Sequence, residues 1–362
     1  MAKDTYHGLK DTIWPLPPHT RAKHEILRKY LEAYFAILGR GGFPRVAFID
    51  GFAGPGIYKG GEPGSPIVAL KAAMNNKARL TGTGLQFRFS EKDPARFASL
   101  QEQVSALGPL PENFDVKLFG KPFSDVVGGM LDALEAKRQS LPPALVMLDP
   151  FGWADMPMSL VCRLANHPKT EFLITLMTSE IQQHARDHVE ESLDTFFGRE
   201  GWRSANQREL LDLYRVALQQ DAGLTFVRSF AMRDKHDAID YFLVFGTRNT
   251  KGLFEMKRAM WSLDASGDFR FSDATNPDQL VLFGKEPDFE PLIAQLRDEL
   301  AGRRISVEEL EKYVDEETAF LHTHVRGAVL KPGEEGGWIS VERDGARAGS
   351  FPRERTMIEF PG

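Results

Sequence analysis

The sequence predicts a seven-stranded, doubly wound α/β sheet whose last two strands close as a hairpin, followed by a smaller winged-helix-like module. Three observations lead there. Strand-like and helical segments alternate from residue 45 to residue 220, the rhythm of parallel strands joined by crossover helices. The strand-like segments 225–231 and 241–247 are separated only by 232–240, too short for a crossover helix, so they should pair antiparallel. Beyond about residue 279 the rhythm changes to three helices and a β-hairpin. The expected domains are therefore 1–278 and 279–362.

The start of the chain, up to Pro18, is polar and proline-rich and is expected to be irregular. A helix over 20–38 follows, with Ile26, Leu27, Tyr30, Leu31, Tyr34 and Leu38 as its apolar stripe. Strands are expected at 45–50, 86–90, 115–119, 144–149, 171–177, 225–231 and 241–247. Helices are expected at 66–75, 94–107, 123–140, 157–166 and along 180–220. Ser65-Pro66 supplies an N-cap and an N1 proline to the helix at 66–75. Residues 251–278 read as a connector holding a short helix, 253–261. In the last part a helix at 289–300 precedes Ser306-Val307-Glu308-Glu309, a capping box that opens a second helix. A third helix is expected at 317–330, then strands at 337–343 and 356–360 around an Asp344-Gly345 turn.

Composition bounds the chemistry. A net charge of -6 argues against nonspecific coating of DNA or acidic membranes while leaving room for a local basic patch. The single cysteine, Cys162, excludes an internal disulfide framework and a cysteine zinc site, and no metal site is expected. No apolar run has the roughly 18 residues that membrane spanning needs, and the first residues show no apolar signal segment. The chain reads as cytoplasmic.

The first strand ends at Asp50 and runs into Gly51-Phe52-Ala53-Gly54-Pro55-Gly56. Glycine permits positive φ and lets the backbone approach a ligand closely. Asp50, Phe52, Gly54 and Gly56 form D-x-F-x-G-x-G, the form common in DNA and RNA methyltransferases. Five βα units closed by a hairpin is likewise the chain order of class I methyltransferases, as distinct from a dinucleotide-binding Rossmann domain. The expected cofactor is S-adenosyl-L-methionine (SAM). Glu91, just past the second strand, is placed to accept both ribose hydroxyls. Residues 57–64 are an insertion before the next helix, either folding over the methionine end of SAM or forming a longer surface turn. After the third strand, Phe123 is a candidate to stack on adenine and Asp125 to reach its amino group. Both also fit the start of the helix that follows.

The fourth strand leads to Asp149-Pro150-Phe151-Gly152, the position of the D/N-P-P-Y/F motif of amino methyltransferases. An exocyclic amine must aim its lone pair at the sulfonium methyl. A carboxylate or amide and the proline carbonyl accept its hydrogens, and an aromatic ring stacks on the base. Asp149 and Pro150 fit the first two roles. Phe151 arrives one position early, so either Phe151 or Trp153 stacks. An amine-activating site, a cofactor wall without chemistry and a structural turn all stand as readings of this motif. Glu180, past the fifth strand, lies where open α/β sheets bind ligands. Phe196, Phe197 and Trp202 mark a segment for target recognition, or core at helical spacing.

The run FIDGFAGPGIY and GEPGSPIVAL, with KHEILRKYL before it and DPFGW, FFG and KGLFEMKRAMW after it, resembles the three-Cys-motif partner (TcmP) proteins along nearly the whole chain. The resemblance implies a SAM methyltransferase-like fold and a functional partner, a radical-SAM-like protein carrying a three-cysteine motif. Within that pattern Lys23 and His24 open the first helix as candidates to cap the SAM pocket and contact substrate. A solvated basic face is the alternative.

In the third helix of the last module, Leu321, Val325 and Ala328 with Val329 form the expected inward face. Thr318, His322, Thr323 and Arg326 are expected outward. Arg326 with Arg343, Arg347 and Arg353 of the wing are candidate phosphate contacts, which would make nucleic acid a partner. Glu342, Asp344 and Glu354 lie among them, and a protein-docking module fits the same fold.

Overall fold

A computed structural model describes residues 11–150, 152–153, 155–184, 189–234, 236–264, 270–272, 287–345, 347 and 349–361. The chain divides into two compact units: 11–249 with the short segment 270–272, and 250–264 with 287–361. Among the described residues no helix is long and apolar enough to cross a membrane.

The first unit opens with α1 (Pro18–Arg40), where Pro18 sits in the first turn, a position whose N–H lacks a helical partner anyway. Its strands are β1 (Arg45–Asp50), β2 (Gly84–Ser90), β3 (Phe114–Phe119), β4 (Ala144–Leu148), β5 (Thr170–Leu176), β6 (Phe226–Arg233) and β7 (Ile239–Thr247). The connecting helices are α2 (Ser65–Asn75), α3 (Pro94–Ser105), α4 (Phe123–Ala136) and α5 (Met158–Ala165). The sheet runs β3-β2-β1-β4-β5-β7-β6, parallel through β5, with β7 antiparallel to both β5 and β6. This is the class I methyltransferase arrangement, with the expected hairpin. β4 and β5 are buried along their whole length, as central strands covered on both faces must be.

Two expectations change. An eighth strand, β8 (Arg270–Ser272), extends the edge parallel to β6, within the stretch read as a connector. Three residues are too few to show a strand period. The long helical stretch 180–220 is three helices, α6 (Thr178–His184), α7 (Glu190–Phe197) and α8 (Gln207–Gln220). Gly198, left-handed at φ 66°, ends α7, and Asn206 with Glu209 forms a capping box that starts α8. Phe196, Phe197 and Trp202 are core: Phe196 stacks on Tyr214 at 5.1 Å, and Trp202 Nε1 donates to Asp194 at 2.8 Å.

The second unit comprises α9 (Thr250–Trp261), α10 (Glu290–Glu299), β9 (Arg304–Ser306), α11 (Val307–Glu317), α12 (His322–His324), a π-helical turn Val325–Leu330, α13 (Lys331–Glu335), β10 (Ser340–Arg343) and β11 (Thr356–Glu359). Its strands pair antiparallel in the order β10-β11-β9. The helix expected at 317–330 is displaced to 322–335. Thr318 turns extended, and its hydroxyl both donates to the Val314 carbonyl at 2.7 Å and accepts from Phe320 N. Asp315 accepts from His322 N at 2.8 Å, starting the new helix there. Thr318, expected outward, is consequently buried.

Lys257 of α9 is fully buried, and its ammonium donates to the Val314 and Asp315 carbonyls in the last turn of α11 and to the Phe320 carbonyl just beyond it. The positive charge sits on carbonyls that a helix C-terminus leaves without partners. Lys257→Met should therefore cost about 2–4 kcal/mol, because the Asp315 and Phe320 carbonyls are stranded together, while Val314 keeps the Thr318 hydroxyl. Urea unfolding measures this, and a loss near zero would show that water replaces the ammonium.

Candidate functional site

Asp50, Glu91 and Asp149 all emerge at the C-terminal edge of the parallel strands, the edge where open α/β sheets take ligands. Beyond β1 the backbone turns with Gly54 at φ 63° and Gly56 at φ 76°, conformations that a side chain strains. Gly51 is needed for a different reason. A Cβ there would lie 2.5 Å from Cδ2 of Phe123, whose ring packs beneath the loop.

Two carboxylates hold this loop. Asp50 is fully buried, accepting from Ser65 Oγ at 2.7 Å and Phe52 N at 3.1 Å. Glu91 accepts from Gly54 N at 3.0 Å through one oxygen and from Asp93 N at 2.8 Å through the other. Each Glu91 oxygen thus keeps a lone pair for a ligand hydroxyl. Burial raises the Glu91 carboxyl, with the Asp93 N–H and Arg96 pulling the other way. A cleft of about 380 Å³ opens in front of it, lined by Gly51, Phe52, Glu91, Phe123 and Pro150 among others.

Burial pushes the Asp50 carboxyl up to about 7, against the hydrogen bonds from Ser65 and Phe52. The folded chain keeps a proton that the unfolded chain releases near pH ~4. The stability this proton contributes is complete below that pH and is lost as the pH rises through about 7. Urea unfolding from pH 4 to 8 should show stability declining across that window, and the decline should flatten in Asp50→Asn. An equal slope in both proteins would assign the dependence to another group.

A second, smaller pocket shares Pro150 with the cleft. It measures about 30 Å³ and is lined by Trp14, Lys23, Tyr58, Asp149 and Tyr241 among others. The Lys23 ammonium, almost wholly buried, ion-pairs with the Asp149 carboxylate and lies 5.5 Å from the Tyr241 ring centroid. Burial pushes Asp149 up, but the Lys23 charge and hydrogen bond outweigh it and hold the carboxyl below its ordinary value. His24 is driven to about 3, chiefly by burial and then by the Lys23 charge, so it stays neutral. The insertion 57–64 forms a tight hairpin, with an Ile57–Pro63 bridge and Tyr58 N donating to Glu62 O at 2.9 Å. It places Tyr58 in this pocket wall, 5.9 Å edge-on to Trp14 and 5.5 Å from the His24 ring.

The structure therefore brings Asp50, Phe52, Gly54, Gly56, Glu91, Phe123, Asp149, Pro150, Lys23 and His24 together around one edge. Phe123 is buried and packs on Phe52 at 5.6 Å, so only its rim faces the cleft. Asp125 lies exposed in the first turn of α4, outside the cleft lining. Trp153 donates to Ser192 Oγ at 2.8 Å, and Glu180 is buried at the start of α6. Phe151 lies outside the described residues. Sequence reasoning missed Trp14, Tyr58 and Tyr241. Trp14, on a segment read as irregular, and Tyr58, in an insertion, carry no periodic signal, and Tyr241 is one aromatic among the many of β7.

In the second unit, three of the four candidate arginines are held internally. Arg326 and Arg353 both pair with the buried Glu311, at 3.3 and 2.5 Å. Arg343 pairs with Glu334 and donates to Ser350 O at 2.8 Å. Arg347 is exposed.

No family model matches this sequence, and no curated protein does. Among solved structures, the chain is similar to Trm1 from Pyrococcus horikoshii in complex with S-adenosyl-L-methionine. Identity is 14% and the TM-score 0.36, over 68% of this chain and 60% of that one. It is also similar to cofactor-bound Rv0187 from MTB, at 12% identity and TM-score 0.33, over 60% of this chain and 79% of that one.

Proposed function

We propose that this chain is a SAM-dependent methyltransferase whose acceptor is an amine presented at Asp149 and Pro150. The observation that carries the reading is Glu91: a buried carboxylate fixed by two backbone N–H groups, with free lone pairs facing a cleft floored by the glycine turn. A Cβ added at Gly54 would meet no atom within 4 Å, so the turn is open where Glu91 holds the Gly54 N–H. The residues present fit SAM. Glu91 would hold the ribose hydroxyls, the rim of Phe123 and Phe52 would face the base, and Asp50 would brace the loop from behind. When bound, SAM supplies an electrophilic methyl group on a sulfonium. Asp149 and the Pro150 carbonyl would then accept the hydrogens of the acceptor amine and turn its lone pair toward that methyl.

One observation favours a second reading, a cofactor-binding partner without turnover. Lys23 already occupies Asp149, and the pocket beside it has room for about one water. Calorimetric titration with SAM and S-adenosylhomocysteine separates the possibilities. Absence of binding at high micromolar ligand sinks both readings, whereas binding without methyl transfer to any offered amine leaves the second.

Two further parts of the proposal rest on sequence pattern. The order of motifs from KHEILRKYL to KGLFEMKRAMW supports membership of the three-Cys-motif partner family, and with it a three-cysteine partner protein. The order helix, strand, helix, helix, strand, strand from α10 to β11 supports a winged-helix reading of the second unit.

A further inference from the structure

The first unit carries a groove that methyl transfer does not use. It has a volume of about 480 Å³ and lies between α4 and the outer strands. Its cations are Arg45 of β1, Arg88 of β2, Lys117 of β3 and Lys137 just past α4, and Met130 and Leu134 of α4 supply an apolar wall. Among the described residues no carboxylate lines it. Asp115 holds Arg88 at 2.5 Å. The side chains of Arg45, Lys117 and Lys137 make no hydrogen bond or ion pair among the described residues. On a chain of net charge -6, three uncompensated cations on one concave surface form a local field opposite to that of the whole molecule.

Strand register sets the spacing of these charges. Arg45 pairs with Gly84, and Arg88 pairs with Lys117. The two levels are thus four residues apart along β2, or about 13 Å at ~3.3 Å per residue. Lys137 follows the end of α4, on the return toward β4, and belongs with Arg45. A lone phosphate or carboxylate reaches one level only. A ligand that meets both carries repeated negative charge, with a less polar part between to cover Met130 and Leu134.

We propose that this groove binds the phosphodiester backbone of single-stranded nucleic acid, RNA or DNA, with nucleobases against the α4 wall. The role falls here rather than on Arg326, Arg343 and Arg353 of the second unit, which Glu311 and Glu334 already engage. The groove ends beside the cofactor cleft. Phe119 lines the groove, and its carbonyl accepts from the N–H of Glu91, which lines the cleft, at 3.0 Å. A strand held in the groove therefore runs toward the methyl-transfer site, although its binding requires no methyl transfer.

Fluorescence anisotropy of the full chain with labelled oligo-dT and oligo-U of about 12 nucleotides tests this. Binding is expected at about 50 mM salt, weakening about 20- to 50-fold by about 200 mM, as three or four phosphate contacts at ~0.7 counterion each require. The triple variant Arg45→Glu, Lys117→Glu, Lys137→Glu should abolish it. Each single alanine variant should weaken it and lower the salt slope, guarding against misfolding of the triple variant. Arg347→Glu should leave it unchanged. Preference for oligo-U or oligo-dT identifies the natural strand. Absence of binding at low salt, retention by the triple variant, loss in Arg347→Glu, or equal binding of an oligo-glutamate peptide would each overturn the proposal.

Discussion

Glu91→Ala is expected to weaken SAM binding at least about 100-fold, while Glu91→Gln weakens it about 10-fold. The carboxylate would make two charge-assisted hydrogen bonds to vicinal hydroxyls, each worth about 1.5–3 kcal/mol, so losing both removes about 3 kcal/mol or more. A tenfold change in affinity is about 1.4 kcal/mol. Alanine also releases Gly54 N and Asp93 N, which Glu91 holds at 3.0 and 2.8 Å, so the glycine turn loses its brace. Glutamine keeps one acceptor and most of the brace, and its amide nitrogen opposes only one hydroxyl or one backbone N–H. Calorimetric titration of the three proteins with S-adenosylhomocysteine reads the result without turnover. If the alanine variant bound within about threefold of wild type, Glu91 would be only a structural brace of the loop.

The sheet was legible because each strand is bounded by strong punctuation and alternates with helices long enough to show a 3.6-residue period. The hairpin followed from length alone, since 232–240 cannot hold a crossover. The glycine turn and Glu91 were legible for a related reason. Both stand at strand ends, where topology rather than packing decides what a residue faces. The small pocket was not legible. Lys23 meets Asp149 across 126 residues of chain, and nothing local to either residue signals the pairing. Trp14 and Tyr58 join it only because the insertion folds as a hairpin against α1. The arginines of the second unit show the same limit from the other side. Sequence places Arg326 and Arg353 on an outer surface, but it does not reveal that both converge on Glu311. Exposure follows from periodicity, whereas pairing depends on tertiary contact.

Asp149→Ala should leave SAM affinity within about threefold of wild type and lower turnover at least about 100-fold, the lower range for losing a positioned proton acceptor. Asp149→Asn should retain more activity than alanine, because an amide oxygen still accepts one hydrogen of the amine. Equal loss of SAM affinity in Asp149→Ala and Glu91→Ala would make Asp149 part of the cofactor wall instead. Lys23 then decides how the site works. In the folded chain its ammonium holds Asp149 ionised below the ordinary carboxylate range, against the push of burial. Removing it in Lys23→Met leaves the carboxylate desolvated and uncompensated, so its pKa rises and the acid limb of the pH–rate profile moves to higher pH. Breaking a buried ion pair costs about 3–5 kcal/mol, but the Asp149 side chain keeps 25% exposure, so the expected stability loss is smaller, about 2 kcal/mol. The same substitution opens the space that Lys23 fills beside Tyr58 and Tyr241. At pH values above the shifted limb, the KM for an amine acceptor should therefore fall if Lys23 competes with substrate for Asp149. It should rise if Lys23 instead helps to hold the acceptor or the cofactor. An unmoved acid limb in Lys23→Met would show that Asp149 is not the group whose ionisation turnover requires.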